Sequence, residues 1–184
     1  MTATLFRIKT RMMMMSFLPL VSFIVLFSGV LFGQNTSVYT STKTGACKTI
    51  RSTAEGTGSY EGECPGTGGY KVRLLEGDIR QTLNVITPAK KKFELNFWTF
   101  FSSFSSIGEK IEWRTKPGIP LALIARFNVA DPSGTGKGVS YLMVSKIGKA
   151  ESCVTDIVNP GGKQNEEARK LADEATAKPC KTNE

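Results

Sequence analysis

From Cys47 onward the chain is divided into short segments by clusters of glycine, proline and other turn-forming residues. Runs of about four to eight alternating or apolar residues between such turns predict β-strands. Nine strands are predicted, at residues 47–53, 59–64, 70–75, 79–87, 93–97, 110–115, 121–129, 139–147 and 152–158. We therefore predict an α+β fold that is mainly antiparallel β, a sandwich or an open, barrel-like sheet of about seven to nine strands.

Two further patterns predict a central strand and a C-terminal helix. Residues 121–129 are apolar on both faces up to Arg126, which is typical of a strand covered on both sides. After an Asn-Pro-Gly-Gly break, a helix is predicted at 165–177, with Asn165 as its N-cap and two glutamates in its first turn. The apolar stripe of this helix is narrow and made of small residues, so we expect it to lie flat on one face of the sheet.

Aromatic residues are concentrated between positions 93 and 104. The phenylalanine spacing there fits either a strand or one face of a helix. Because the serine-rich end of the segment disfavours a helix, we predict a strand to Phe97 followed by an aromatic loop. Most of these rings are expected in the core. If they are exposed, a contact surface for a protein, a sugar or a membrane is formed by Phe97, Trp98, Phe100 and Phe101.

The first 33 residues differ from the rest of the chain and are predicted to be a secretory signal peptide. Three basic residues precede an apolar run at 17–32, and polar residues follow Gly33. Cleavage is expected after Gly33, with an uncleaved N-terminal anchor as the alternative. Residues 34–46 are rich in serine and threonine and are predicted to be a flexible leader. Residues 47–184 are predicted to form one disulfide-stabilised domain.

All four cysteines, Cys47, Cys64, Cys153 and Cys180, lie after the predicted signal. An even number of cysteines in an exported chain predicts two disulfides, whereas the spacings are not those of a zinc site. Of the possible pairings we favour Cys47–Cys64 and Cys153–Cys180, because each closes a local unit. The protein is thus predicted to be exported, either periplasmic or extracellular.

The chain contains no histidine. Ser-His-Asp and Cys-His catalysis need an imidazole, and catalytic zinc sites rely on one, so this chain alone cannot build them. We predict no catalytic residue, metal or cofactor. The remaining acid–base groups are carboxylates such as Glu109, Glu112 and Asp131. They could serve a hydrolase only if two of them faced each other across a groove, about 5–9 Å apart.

Removal of the predicted signal lowers the net charge from +8 to +5, because that segment contains three basic and no acidic residues. This charge favours acidic partners such as anionic envelope polymers, although dispersed lysines give the same total. Export argues against a nucleic-acid partner, and membrane contact is expected only through the N-terminal segment. The loop at 131–138 contains glycines and a lysine but does not have the spacing of a phosphate-binding loop.

One set of polar residues lies on predicted strands close to apolar positions: Asp78, Arg80, Glu112, Arg114 and Arg126. These residues form ion pairs across neighbouring strands, or two or three of their guanidinium groups bind an anionic ligand. Both interpretations stay open at this point.

Several motifs occur in combination: Cys47-Lys48-Thr49-Ile50, Cys64-Pro65-Gly66 with Gly69-Tyr70-Lys71-Val72, Glu76-Gly77-Asp78-Ile79-Arg80, and Glu112-Trp113-Arg114 with Pro120, Ala122, Ile124 and Arg126. In this combination the chain resembles, over about residues 47–180, a family of small exported bacterial proteins without assigned activity. The resemblance implies an envelope or secreted location, supports two disulfides, and assigns no catalytic residue.

These observations predict a non-enzymatic binding module of the bacterial cell envelope. Its sheet face or aromatic loop would contact an envelope component or another protein. Two alternatives remain: a histidine-independent, carboxylate-based hydrolase of an envelope polysaccharide, and an inhibitor of a foreign hydrolase.

Overall fold

The computed structural model describes residues 34–56 and 58–182, so the predicted signal peptide lies outside the described residues. In that part of the chain, ten strands form one sheet. They are β1 (Thr36–Ser41), β2 (Lys48–Thr53), β3 (Ser59–Cys64), β4 (Lys71–Gly77), β5 (Arg80–Ile86), β6 (Lys92–Glu94), β7 (Ser105–Lys116), β8 (Ile119–Val129), β9 (Val139–Lys146) and β10 (Cys153–Val158). One α-helix, α1 (Gln164–Glu174), follows β10.

The sheet is mainly antiparallel and follows the order β10-β9-β8-β7-β5-β4-β3-β2, with β1 paired to β7 and β6 paired to β5. The exception is a short parallel contact between β5 and β7, where Arg80 pairs with Ser105. Turn-forming residues join most neighbouring strands, which is why the order in the sheet largely follows the order in the chain. The predicted class, a mainly antiparallel sheet with a C-terminal helix, is confirmed.

Two apolar clusters cover opposite faces of the sheet. The larger one is formed by bulky side chains such as Leu83, Trp113 and Phe127, which are fully buried. The smaller one packs Ala122 and Ile124 of β8 against α1. Its other fully buried alanines are Ala168 and Ala172 of α1 and Ala175 of the 3-10 turn (Ala175–Ala177) that follows α1. Their small side chains allow α1 to lie close to the sheet, and β8 is covered on both sides as predicted.

The segment 34–46, predicted to be a flexible leader, instead contains a strand. β1 pairs along its whole length with the second half of β7, from Thr36 opposite Thr115 to Ser41 opposite Lys110. The side chains of Thr36 and Thr115 lie 2.9 Å apart, oxygen to oxygen, and Thr40 accepts a hydrogen bond from the indole of the buried Trp113 at 2.8 Å. β1 is therefore an edge strand whose hydroxyl groups satisfy polar groups of β7.

Both disulfides form with the favoured pairing. Cys47 is bonded to Cys64 across the β2–β3 hairpin, and Cys153 of β10 is bonded to Cys180 beyond α1. The second bond returns the chain after the helix to the sheet. Two disulfides are consistent with an oxidising, exported environment. Within the described residues, the structure contains no helix of the length and apolar character required to cross a membrane.

The helix starts one residue earlier than predicted and is not capped by Asn165. Gln164 is its first residue, and the preceding Lys163 makes no side-chain capping bond. Gln164 is buried and donates to the carbonyl oxygens of Ser140 and Val158, at 2.9 and 3.2 Å. These bonds join the start of α1 to β9 and β10, and Asn165 lies in the first turn.

Candidate functional site

The strand β7 contains a bulge opposite Arg126 of β8. Ile107 pairs with Phe127 and Ile111 pairs with Ala125, so residues 108–110 of β7 lie opposite the single residue Arg126. The end of β1 holds this bulge: Thr42 donates from its backbone to the Glu109 carbonyl at 3.0 Å and from its hydroxyl to the Gly108 carbonyl at 2.6 Å. Bulges bend a strand and redirect its side chains, and they are common next to functional sites.

The residue opposite Arg126 in the bulge has to be small. A Cβ atom added to Gly108 would lie 2.8 Å from the Cβ of Arg126, closer than such atoms normally approach. Glycine in the interior of a strand commonly marks a bulge or a close approach of another group. Gly108 therefore makes room for the stem of Arg126 where β7 passes β8.

Among residues 34–56 and 58–182, Arg126 has only neutral partners. Its Nη1 donates to the Ser140 hydroxyl at 2.9 Å and to the Gln164 side chain at 3.2 Å, and its Nη2 donates to the Asn165 side chain at 3.5 Å. The other five arginines of the described residues, Arg51, Arg73, Arg80, Arg114 and Arg169, each pair with a carboxylate. Within the described part of the chain, Arg126 is therefore the one arginine whose charge no carboxylate compensates.

A cleft of about 570 Å³ lies between the end of β1 and the bulge. We call it the Arg126 cleft. Its lining residues are Tyr39, Thr40, Ser41, Lys43, Gly108, Glu109, Lys110 and Arg126. Lys43 pairs with Glu109 at 3.1 Å, and the Lys110 ammonium group lies 5.8 Å from the centre of the Tyr39 ring. The lining contains three cations and one carboxylate, which gives it a net charge of +2.

Two predicted site residues, Glu112 and Arg114, lie beside this cleft and have protein partners. Glu112 accepts hydrogen bonds from Arg169 of α1, and Arg114 donates to Asp173 through two nitrogens. Ser37 of β1 connects the pairs, because its hydroxyl donates to Glu112 and accepts from Arg114, both at 2.6 Å. These contacts fix β1 and α1 against β7, and so position the wall of the cleft.

The lowered pKa of Glu112 agrees with its role in holding β1 and α1 against β7. Burial alone would raise the pKa of Glu112, but hydrogen bonds from Arg169 and Ser37 hold it below its ordinary value. The pKa of Asp173 is also lowered, because the bonds from Arg114 outweigh its burial. Both carboxylates are therefore ionised near neutral pH. Arg169 also donates to the Tyr39 hydroxyl at 3.0 Å, which orients a ring of the Arg126 cleft.

The remaining pair of the predicted polar set lies elsewhere. Asp78 lies in the tight turn between β4 and β5, Arg80 is the first residue of β5, and their side chains bind each other at 2.6 Å. Neither lines the Arg126 cleft. The five residues thus divide into a turn pair and a group of three on the face of the sheet that carries α1, and of these three Arg126 alone lines the cleft.

The predicted aromatic contact surface is also divided. Phe97 is fully buried and packs edge-to-face against Phe127, with ring centres 5.7 Å apart, so it belongs to the core and not to a contact surface. Trp98 is partly buried. Phe100 and Phe101 line a second cleft of about 650 Å³. The strand predicted at 93–97 is shorter than expected and is replaced from Phe97 by a 3-10 turn.

The carboxylates give no support to hydrolase chemistry. Glu109 pairs with Lys43 at the surface, and Asp131 is partly exposed, with its pKa lowered by hydrogen bonds from Ser133 and Gly136. Among the described carboxylates with a resolved shift, the pKa is lowered in every case, at Glu63, Glu112, Asp131 and Asp173. A glycosidase needs one carboxylic acid with a raised pKa to protonate the leaving group.

Six lining residues were not among the candidates from sequence: Tyr39, Thr40, Ser41, Lys43, Gly108 and Lys110. Gly108, which interrupts the strand between two isoleucines, was the one available signal of a bulge. No protein-family model, curated protein or solved structure matches the chain. The resemblance to small exported bacterial proteins therefore stays a prediction.

Proposed function

We propose that the protein is an exported, non-enzymatic binding module of the bacterial cell envelope, and that the Arg126 cleft binds an anionic group of its ligand. One observation carries this proposal: Arg126 lines a positively charged cleft and has no carboxylate partner in the described part of the chain. The two disulfides, the predicted signal peptide and the resemblance to exported bacterial proteins support the location.

The cost of burying a charge explains why a ligand anion suits this site. A partly buried guanidinium loses hydration, and neutral acceptors recover only part of that free energy. The Nη1 atom already donates to two residues, whereas Nη2 has one long bond and Nε has none within the described residues. The Nε–Nη2 edge is thus available for the two parallel hydrogen bonds that a carboxylate or phosphate accepts from arginine.

Two lysines near Arg126 also favour an anion over a neutral ligand. Lys110 and Lys43 lie on the same lining, and their ammonium groups add positive potential where the anion would sit. A binding role also fits the absence of histidine and the lowered carboxylate pKa values, whereas the hydrolase alternative lacks a raised one. The inhibitor alternative stays a prediction, and no contact among the described residues favours it.

The proposal is tested by titrating the disulfide-bonded protein with inorganic phosphate, glycerol phosphate and glucuronate. The Arg126 Nε–H resonance is followed by NMR where that residue is present, and the backbone amide resonances of Gly108 and Lys110, which line the cleft, are followed in the wild type and in the variants. We expect a saturable shift with at least one probe. The substitution Arg126→Leu should weaken binding by at least about tenfold. Arg80→Leu is the matched control, since Arg80 is a partly exposed arginine outside the cleft. Absence of any shift, or equal loss in both variants, would refute the proposal.

A further inference from the structure

The second cleft lies on another part of the sheet and is independent of Arg126. It is bounded by the 3-10 turn after β6, by β9 and β10, and by the chain that follows the Cys153–Cys180 disulfide. Its lining residues are Thr99, Phe100, Phe101, Tyr141, Ile157, Asn159, Cys180, Lys181 and Thr182. We call it the aromatic cleft.

The aromatic rings of this cleft are held in place by the core. The Phe101 ring lies 5.4 Å from the ring of the buried Phe127 and 4.6 Å from that of Tyr141, measured between centres. Phe100 and Ile157 are partly buried against the same cluster. A ligand that stacks on Phe101 or Tyr141 therefore meets rings that are already ordered, which lowers the entropic cost of binding.

Polar side chains with unused hydrogen-bonding capacity surround the rings. The Tyr141 hydroxyl, the Asn159 amide and the Lys181 ammonium group form no hydrogen bond within the described residues. Asn159 and Lys181 are exposed, and Tyr141 is partly exposed. Together they offer donors and acceptors around an aromatic floor.

The backbone beside the cleft is already occupied. The Lys181 amide donates to the Val154 carbonyl of β10 at 2.7 Å, and the Cys153–Cys180 disulfide fixes the same segment. A peptide adding as a strand to β10 would have to displace this contact. The wall that carries Lys181 is thus rigid, and the recognition groups that remain are side chains.

We infer that the aromatic cleft is a saccharide-binding site, formed by stacking on Phe101 and Tyr141 and by hydrogen bonds from Tyr141, Asn159 and Lys181. A pyranose ring has an apolar C–H face and a rim of hydroxyl groups, which matches an aromatic floor surrounded by a phenol, an amide and an ammonium group. The volume of about 650 Å³ lies within the range of small-molecule sites. This site goes beyond the proposed anion site and does not depend on it.

The test uses the disulfide-bonded protein and three neutral trisaccharides, cellotriose, maltotriose and chitotriose, in saturation-transfer NMR. We expect saturation of the ring C–H protons of at least one trisaccharide, with saturable binding at concentrations up to about 5 mM. The variants Tyr141→Phe, Asn159→Ala and Lys181→Ala should each weaken that binding by about threefold to tenfold, because each removes hydrogen-bonding groups and leaves the packing intact.

Lys48→Ala is the matched control, because Lys48, like Lys181, is an exposed lysine that follows a disulfide-bonded cysteine. It should leave trisaccharide binding unchanged. The inference would be overturned if none of the three sugars showed saturation transfer. It would also be overturned if trisaccharide binding survived in a variant that carries all three cleft substitutions. Neither result would change the shifts that phosphate or glucuronate produces at Arg126. Failure of the saccharide proposal can therefore be distinguished from failure of the anion proposal.

Discussion

Arg169 of α1 binds Glu112 of β7 through two hydrogen bonds, from Nε to Oε1 at 2.7 Å and from Nη2 to Oε2 at 3.2 Å. Four residues further along the helix, Asp173 binds Arg114, two residues further along the strand. Four helical residues rise about 6 Å and two strand residues about 6.6 Å, so the spacings match. The charges are reversed between the two pairs, which fixes the direction and the register of α1 on the sheet.

The first prediction concerns acid. Because the pKa of Glu112 is lower in the folded protein, ionised Glu112 stabilises the fold above its unfolded pKa, and this contribution is lost as the pH falls through the folded value. We expect the free energy of unfolding, measured by urea denaturation, to decline below about pH 4.5. Glu112→Gln should make this decline shallower without abolishing it, because the pKa of Asp173 is lowered as well.

Glu94→Gln, an exposed control, should retain the full decline. Identical slopes for the wild type and Glu112→Gln would contradict the prediction.

The second prediction concerns the bulge. Gly108→Ala places a methyl group 2.8 Å from the Cβ of Arg126, so either the bulge or the arginine has to move. We expect about tenfold weaker binding of the anionic probes at Arg126, with a loss of stability of about 1 kcal/mol. Gly77→Ala serves as the control, because no atom of the described residues lies within 4 Å of the added Cβ there. Unchanged affinity in Gly108→Ala would show that the Arg126 position is not set by the bulge.

The third prediction separates the two disulfides. They close loops with sequence separations of 17 and 27 residues, and each should stabilise the fold by about 3 kcal/mol. Replacing Cys153 and Cys180 by alanine should also weaken trisaccharide binding, since this bond fixes Lys181 at the aromatic cleft. Replacing Cys47 and Cys64 should lower the melting temperature to a similar extent and spare that binding. Equal losses of binding in the two double variants would argue against the role assigned to the second bond.

The fourth prediction concerns a hydroxyl group in the core. Ser145 of β9 is fully buried, and its Oγ has no hydrogen-bond partner among the described residues. Ser145→Ala should therefore leave stability unchanged or raise it by up to about 1 kcal/mol. Thr82→Val is the contrasting variant, because the Thr82 hydroxyl accepts a bond from the Phe97 amide at 2.8 Å, and its loss should cost about 1–2 kcal/mol. A clear loss of stability in Ser145→Ala, measured by chemical denaturation, would be the opposite of this result.

Local patterns explain why much of the fold could be predicted. The strand β8 and the helix α1 show their periodicity directly, and the two disulfides close units that are local in sequence. β1 could not be predicted in this way, because its hydroxyl-bearing side chains lack apolar alternation and its partner strand is distant in the chain. Its pairing is a long-range contact that no local window contains.

The candidate site was predictable only in part for the same reason. Arg126 is a polar residue within an apolar strand, and that contrast identified it from the sequence alone. Tyr39 and Lys43 reach the cleft through β1, and Lys110 reaches it through the bulge, so their roles depend on the strand pairing. Whether Arg126 has a carboxylate partner likewise depends on which strands and helix surround it.

The position of β1 has a consequence for the order of folding. β1 is the first strand of the sheet along the chain, yet its partner residues lie in the second half of β7, with Thr36 opposite Thr115. In a chain that emerges N-terminus first, β1 therefore stays unpaired until β2 to β7 have all emerged, and closing so long a loop is slow. Because β1 forms one wall of the Arg126 cleft, the cleft forms only at that late step. A chain that has not yet reached this step would thus lack the anion binding that we propose for the cleft.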